Sequence, residues 1–81
     1  MDAKIKEGKL QHLSSYGFQE TDKSYIREIK YPVLLVVDKK THYMVVKSPI
    51  GEVTFMESHK DKFQDLIDAD LVEFVKGKLD R

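Results

Sequence analysis

Three histidines, His12, His42 and His59, are the side chains best suited to metal binding or proton transfer, because a neutral imidazole both ligates metals and titrates near neutrality. Their spacing serves neither use. No two stand four residues apart, and none sits in the carboxylate pattern that zinc sites employ. Ser58 and His59 are neighbours, but neighbours on a helix do not face each other, so they are not a nucleophile and its base. Asp61, Asp65 and Asp68 fall at i, i+4 and i+7, a spacing that aligns carboxylates on one helix face. Mg²⁺ or Ca²⁺ needs about six or more oxygens, and no loop supplies the others. These aspartates read as the solvated side of an apolar stripe. The four glycines form no phosphate-cradling loop, and no nucleophile motif is present. The expectation is a non-enzymatic chain with no catalytic residue, no metal and no cofactor.

The basic stretch "DKKTH" has a different potential. Lys39, Lys40 and His42 suit phosphate contacts, with Arg27 and Lys30 on a neighbouring strand. Nucleic-acid binding through these three residues is the alternative reading. A charged hairpin tip also serves solubility. The charge balance gives nucleic acid little support. Basic and acidic residues number 14 each, where a nucleic-acid-binding domain is strongly basic. Residues 1–47 hold nine basic and six acidic side chains, and residues 48–81 hold five and eight. The halves thus carry +3 and −3, a dipole that favours complementary or head-to-tail association.

The elements that position these residues follow from apolar spacing. Asp2 suits the cap of a first helix running to about Tyr16, with Ile5, Leu10 and Leu13 as a thin stripe. Gly17 suits the left-handed position that ends it, and Leu13 and Phe18 then meet in a Schellman cap. "SYIREIK" at 24–30 alternates as a strand does, and Tyr31-Pro32 interrupts it. Val33–Val37 and His42–Lys47 form a hairpin with Lys39-Lys40 at its tip. Pro49 and Gly51 turn the chain into a last strand, Val53–Met56. Ser58 opens a second helix whose stripe is Phe63, Leu66, Ile67, Leu71, Phe74 and Val75, ending at Gly77. The "DAD" at 68–70 could instead break it in two. The fold expected is one α+β domain over residues 1–81, with an N-terminal helix, an antiparallel three- to four-stranded β-meander and a C-terminal helix packed on one sheet face.

That arrangement leaves a face over. Tight turns at Lys39-Lys40 and Pro49–Gly51 pair Leu35 with Met44, Lys47 with Val53 and Val45 with Phe55. Leu34, Val36, Tyr43, Val45, Val53 and Phe55 then share one face with Tyr25 and Ile29, and the C-terminal helix suits it. Val33, Leu35, Val37, Met44, Val46 and Met56 share the other with Ile26. Five or six bare aliphatic side chains forgo roughly 1.5–3 kcal/mol each. The N-terminal helix, a second copy of the chain, or another protein or ligand must cover them. Val33, Leu35, Val37, Met44 and Val46 are therefore the expected partner-binding residues. The function expected is that of a small accessory or regulatory protein acting by protein–protein contact through its sheet face, as a homodimer or with another protein. There is no cysteine, hence no disulfide framework. The charged opening "MDAKIKEGKL" is no signal peptide, and the longest apolar run, five residues, is too short to span a bilayer. A cytoplasmic location without a membrane partner is expected.

Overall fold

A computed structural model describes residues 1–54 and 56–76, with only the backbone of Glu57 and Ser58. The order is β1 (Asp2–Ile5), a 3-10 segment (Leu10–Tyr16), β2 (Gln19–Glu20), β3 (Ser24–Lys30), β4 (Val33–Asp38), β5 (Met44–Ser48), β6 (Gly51–Val53), a second 3-10 segment (Glu57–Lys62), α1 (Gln64–Asp68) and β7 (Val72–Val75). Strands β2 to β6 form a five-stranded antiparallel sheet in sequence order, and β1 pairs with β7 in a two-stranded ribbon. The fold is thus mostly β. It is not the helix–meander–helix arrangement expected, and both ends of the expectation need correction.

At the N-terminal end, Asp2-Ala3-Lys4-Ile5 alternates at period two, and Ala3 and Ile5 are buried while Lys4 is half-buried. Gly8 follows at φ 76°, so no helix runs through from Asp2. Only Leu10–Tyr16 coils, as a 3-10 segment. Its end is as expected: Gly17 takes φ 85° and the Phe18 N–H donates to the Leu13 carbonyl at 3.3 Å.

At the C-terminal end the long helix is absent. The chain breaks at "DAD", where Asp70 adopts φ 62° and the N–H groups of Asp70 and Leu71 close onto the carbonyls of Ile67 and Leu66. This is a Schellman ending with aspartate in the left-handed position, which aspartate tolerates better than most residues. Val72–Val75 then extends, as its β-branched and aromatic content favours. The second 3-10 segment takes Met56 as its N-cap residue, so Ser58 lies inside it and not before it. The expected end at Gly77 and the Val45–Phe55 pair fall on residues outside those described.

The hairpin registers differ from expectation by different steps. Leu35 pairs with Val46 and Val37 with Met44, two residues from the expected pairing. The loop is longer than two residues. Asp38 Oδ1 accepts the N–H groups of Lys40 (2.7 Å) and Thr41 (2.8 Å), His42 takes φ 70°, and the Asp38 N–H donates to the Tyr43 carbonyl. A slip of two leaves every side chain on its face. At the Pro49-Ile50 turn the slip is one: Lys47 pairs with Glu52 and Val46 with Val53. Val53 therefore joins the aliphatic set. Tyr25 does too, since it pairs with Val37, while Ile26 moves to the opposite face beside Val36.

The core lies on the aliphatic face. Leu35, Val37, Met44 and Val46 are buried against Ala3 and Ile5 of β1, Leu13, Phe18, Met56, Phe63, Leu66, Leu71 and Val72. Short segments of the same chain cover this face, and among the described residues no long helix packs on the other. Phe63 and Phe74 meet with ring centroids 6.1 Å apart. β1 joins the ribbon to the sheet: the Ile5 N–H donates to the His42 carbonyl at 2.9 Å, Lys4 bridges Tyr43, and the Met56 N–H donates to the Met1 carbonyl.

Leu35 is fully buried on the central strand. Leu35→Ala is expected to cost about 2–5 kcal/mol, read as a lowered urea midpoint. A variant with near-native stability would remove this face from the core.

Candidate functional site

The open side of the sheet is built by the alternate residues of β3, β4 and β5. Ile26, Val36 and Val45 form one cross-strand row, continued by Gln19 at the β2 edge. Glu28, Leu34, Lys47 and Glu52 form the next. Tyr43 is 38% exposed, and Lys4 lies over its ring at 5.8 Å. Together these residues give an apolar floor with a charged margin. A concavity of about 330 Å³ opens on this side, with Val36, Tyr43 and Val45 as its floor and Lys23, Ser24, Asp38, Thr41, Lys47 and Glu52 around it. The margin holds two lysines and two carboxylates. Lys47 and Glu52 pair across β5 and β6 at 3.5 Å. The backbone N–H groups of Thr41 and Lys40 hold the Asp38 carboxyl below its ordinary value, so it stays ionised.

The expected partner-binding residues lie elsewhere. Leu35, Val37, Met44 and Val46 are interior and Val33 is half-buried, all on the face the chain covers itself. The sequence pattern separated the two faces of β4 and β5; of the covers left open for the aliphatic face, the chain's own segments supply it, though not as the N-terminal helix expected. The row that remains accessible, Ile26, Val36 and Val45, was readable as a set only once the register of β3 was known.

The basic tip is not gathered for phosphate. Lys39 Nζ lies 2.6 Å from Glu20 Oε2 and over the Tyr25 ring at 5.5 Å, so it is drawn onto its own sheet. The half-buried His42 ring places Nδ1 3.2 Å from the Ile5 carbonyl oxygen. Lys40 alone of the three is exposed, and Lys39 and His42 are half-buried.

His12 and His59 stand on the two 3-10 segments. Among the described residues no group of three or more His, Asp and Glu side chains is placed to hold a metal ion. The three aspartates do not share a helix face, because Asp61 lies in the 3-10 segment and Asp65 and Asp68 lie in α1. Each has its own partner: Asp61 with Lys62 at 3.2 Å, Asp68 with the Gln64 amide at 3.0 Å, and Asp65 with Arg27.

The Arg27 contact was missed in the sequence. Arg27 sits between Tyr25 and Ile29 at an inward position of β3, with its side chain 17% exposed. Its guanidinium donates to both Asp65 oxygens, at 2.7 and 3.1 Å, to the Tyr16 carbonyl at 2.9 Å and to the Lys62 carbonyl at 3.0 Å. Its face covers the Phe18 ring at 4.8 Å. Tyr16 and Lys62 are the last residues of the two 3-10 segments, so one side chain caps both. A charge at an inward strand position must find partners, and this was the available signal.

No protein-family model, no curated protein and no solved structure matches the chain. No helix among the described residues is long and apolar enough to cross a membrane.

Hydrogen bonds from Arg27 hold the Asp65 carboxyl below its ordinary value, against an opposing effect of burial. A depressed carboxylate contributes stability that is complete above its unfolded value, about 3.9, and is lost as pH falls through the folded value. Asp65→Asn is therefore expected to be less stable than wild type at pH 7. The gap should narrow as pH falls below about 4. Urea denaturation at neutral and acid pH measures it; a gap that stays constant would deny the ion pair its role.

Proposed function

We propose that this chain is a small, non-enzymatic accessory or regulatory protein that acts by protein–protein contact through the open face of its sheet, and that the occupant of that face is a second copy of the chain. The observation that carries the reading is the half-buried apolar row Ile26–Val36–Val45, flanked by Leu34 and Tyr43, which stands outside the buried core, with Val36, Val45 and Tyr43 lining an open concavity.

Self-association is supported by charge. The margin of the face balances Lys23 and Lys47 against Asp38 and Glu52. A two-fold contact running across the strands can set lysine against carboxylate on both sides. A strongly acidic or basic partner would find no such match. The net charge of zero removes the repulsion that keeps many small domains apart. A cytoplasmic setting, without disulfides, fits this reading.

The face is small. Four strands about 4.8 Å apart and five residues of about 3.4 Å give roughly 300 Å² in plan. Stable complexes bury about 800 Å² per partner, so this contact belongs to the weak, transient class. Sedimentation equilibrium of the wild type is expected to show dimer appearing as concentration rises toward the millimolar range. Val45→Lys should remain monomeric at every concentration with an unchanged circular dichroism spectrum. Val46→Lys, one residue away on the buried face, should unfold. A wild type that sediments as monomer throughout, or a Val45→Lys chain that dimerises equally, would sink the proposal.

A further inference from the structure

The sheet has two unlike ends. At one, the β4–β5 loop carries Lys39 and Lys40, and the Lys39 N–H donates to the Lys23 carbonyl. At the other, the β3–β4 and β5–β6 turns lie side by side. Lys30 pairs with Val33 across the first, Ser48 with Gly51 across the second, and Leu34 with Lys47 between them. The turn centres are two strand spacings apart, about 10 Å. The first presents Tyr31 and Pro32, and the second Pro49 and Ile50, all exposed. Ile50 at 98% and Tyr31 at 82% are the most exposed large apolar side chains among the described residues. A single exposed apolar residue is ordinary. Two at adjacent tips of one end, each beside a proline, make a surface.

We infer that this end of the molecule is a contact for a lipid bilayer surface, with Ile50 and Tyr31 entering the boundary between headgroups and acyl chains. The shape favours lipid over protein. The two tip side chains are almost wholly exposed and stand about two strand spacings apart, which suits a deformable layer, whereas a protein partner would need two matching hollows. Tyrosine suits that boundary because its ring is apolar and its hydroxyl polar. Each proline fixes one backbone angle of its turn, so little order must be imposed on insertion. Lys30 and Lys47 stand just behind the tips, where their stems can lie along lipid with the ammonium groups among phosphates. Glu28 and Glu52 stand in the Lys47 row, so the four charges sum to zero. The apolar tips therefore carry the contact, and charge only adjusts it. Lying on a bilayer in this way is distinct from spanning one.

The test uses the whole chain and sonicated vesicles of phosphatidylcholine, alone or with a minor fraction of phosphatidylserine. The chain has no tryptophan, so Ile50→Trp is a clean reporter at a site open enough to accept it. Its emission is expected to shift to the blue with both vesicle types, somewhat more strongly with phosphatidylserine. In flotation, Ile50→Asp should reduce partitioning by about tenfold or more. Tyr31→Ala should weaken it, and Lys40→Ala at the opposite end should leave it unchanged. No shift and no flotation would overturn the inference, and a tip that serves a protein partner would give that result. Binding confined to phosphatidylserine, abolished by salt and equal in Ile50→Asp, would mean adsorption by charge alone and would overturn it too.

Discussion

The Arg27 guanidinium holds together segments that have little means of holding themselves. Two 3-10 segments and a five-residue helix form the cover of the core. Elements this short close too few internal hydrogen bonds to offset their nucleation cost. Their carbonyl ends also need donors. Arg27 supplies them from a β strand, so the sheet, which is the most regular part of the molecule, fixes the position of its least regular parts. The Asp65 carboxylate balances the charge, and the Phe18 ring covers its face. Lysine could not substitute, because a single ammonium cannot present a planar fork to a carboxylate and two carbonyls at once. The leading risk of such a centre is that it is shared: loss of one side chain frees the ends of both 3-10 segments together.

How much of this was legible in the sequence depends on what each signal measures. The runs "VLLVV" and "YMVV" carry no polar alternation; the period of two that any strand imposes on its side chains separated the faces of β4 and β5, and it did so despite a wrong loop length, because the error was an even number of residues. The odd error at Pro49-Ile50 moved Val53 across the sheet. The β4–β5 loop has no glycine to announce its positive φ; His42 adopts it, and the Asp38 carboxylate stabilises the turn through the chain's own N–H groups. At 63–75 the spacing fits a helix and a strand about equally from Leu71 onward, and only the left-handed Asp70 decides between them. Ala3 and Ile5 alternated visibly, yet four residues are too few to outvote a plausible cap at Asp2. The open face was illegible for a further reason. Which side of a sheet is covered is a property of distant segments, and those segments do not take the shapes their spacing predicts.

Two surfaces of this small domain now have different physical characters. The sheet face is flat, apolar at its centre and balanced in charge at its margin, features that reward contact with a similar face. The turn end projects single side chains, a feature that rewards a soft or penetrable neighbour. Neither surface takes residues from the buried core. The basic loop at the far end is tied down by Glu20 and the Ile5 carbonyl, and its order serves the join between β1 and the sheet.

The pairing of β1 with β7 also governs when the domain can form. Asp2 meets Val75 and Ile5 meets Val72, so the ribbon closes a loop containing almost all of the described chain. Each doubling of such a loop adds only about 0.6 kcal/mol of closure entropy, a small thermodynamic burden. The kinetic consequence is larger, because contacts so distant in sequence slow the search for the native state. The five-stranded sheet is built from neighbours in sequence and can pair before the distant β1–β7 ribbon closes. Until Val72–Val75 is in place, β1 is held only by its contacts to Tyr43 and His42, and the core it helps to cover stays unfinished.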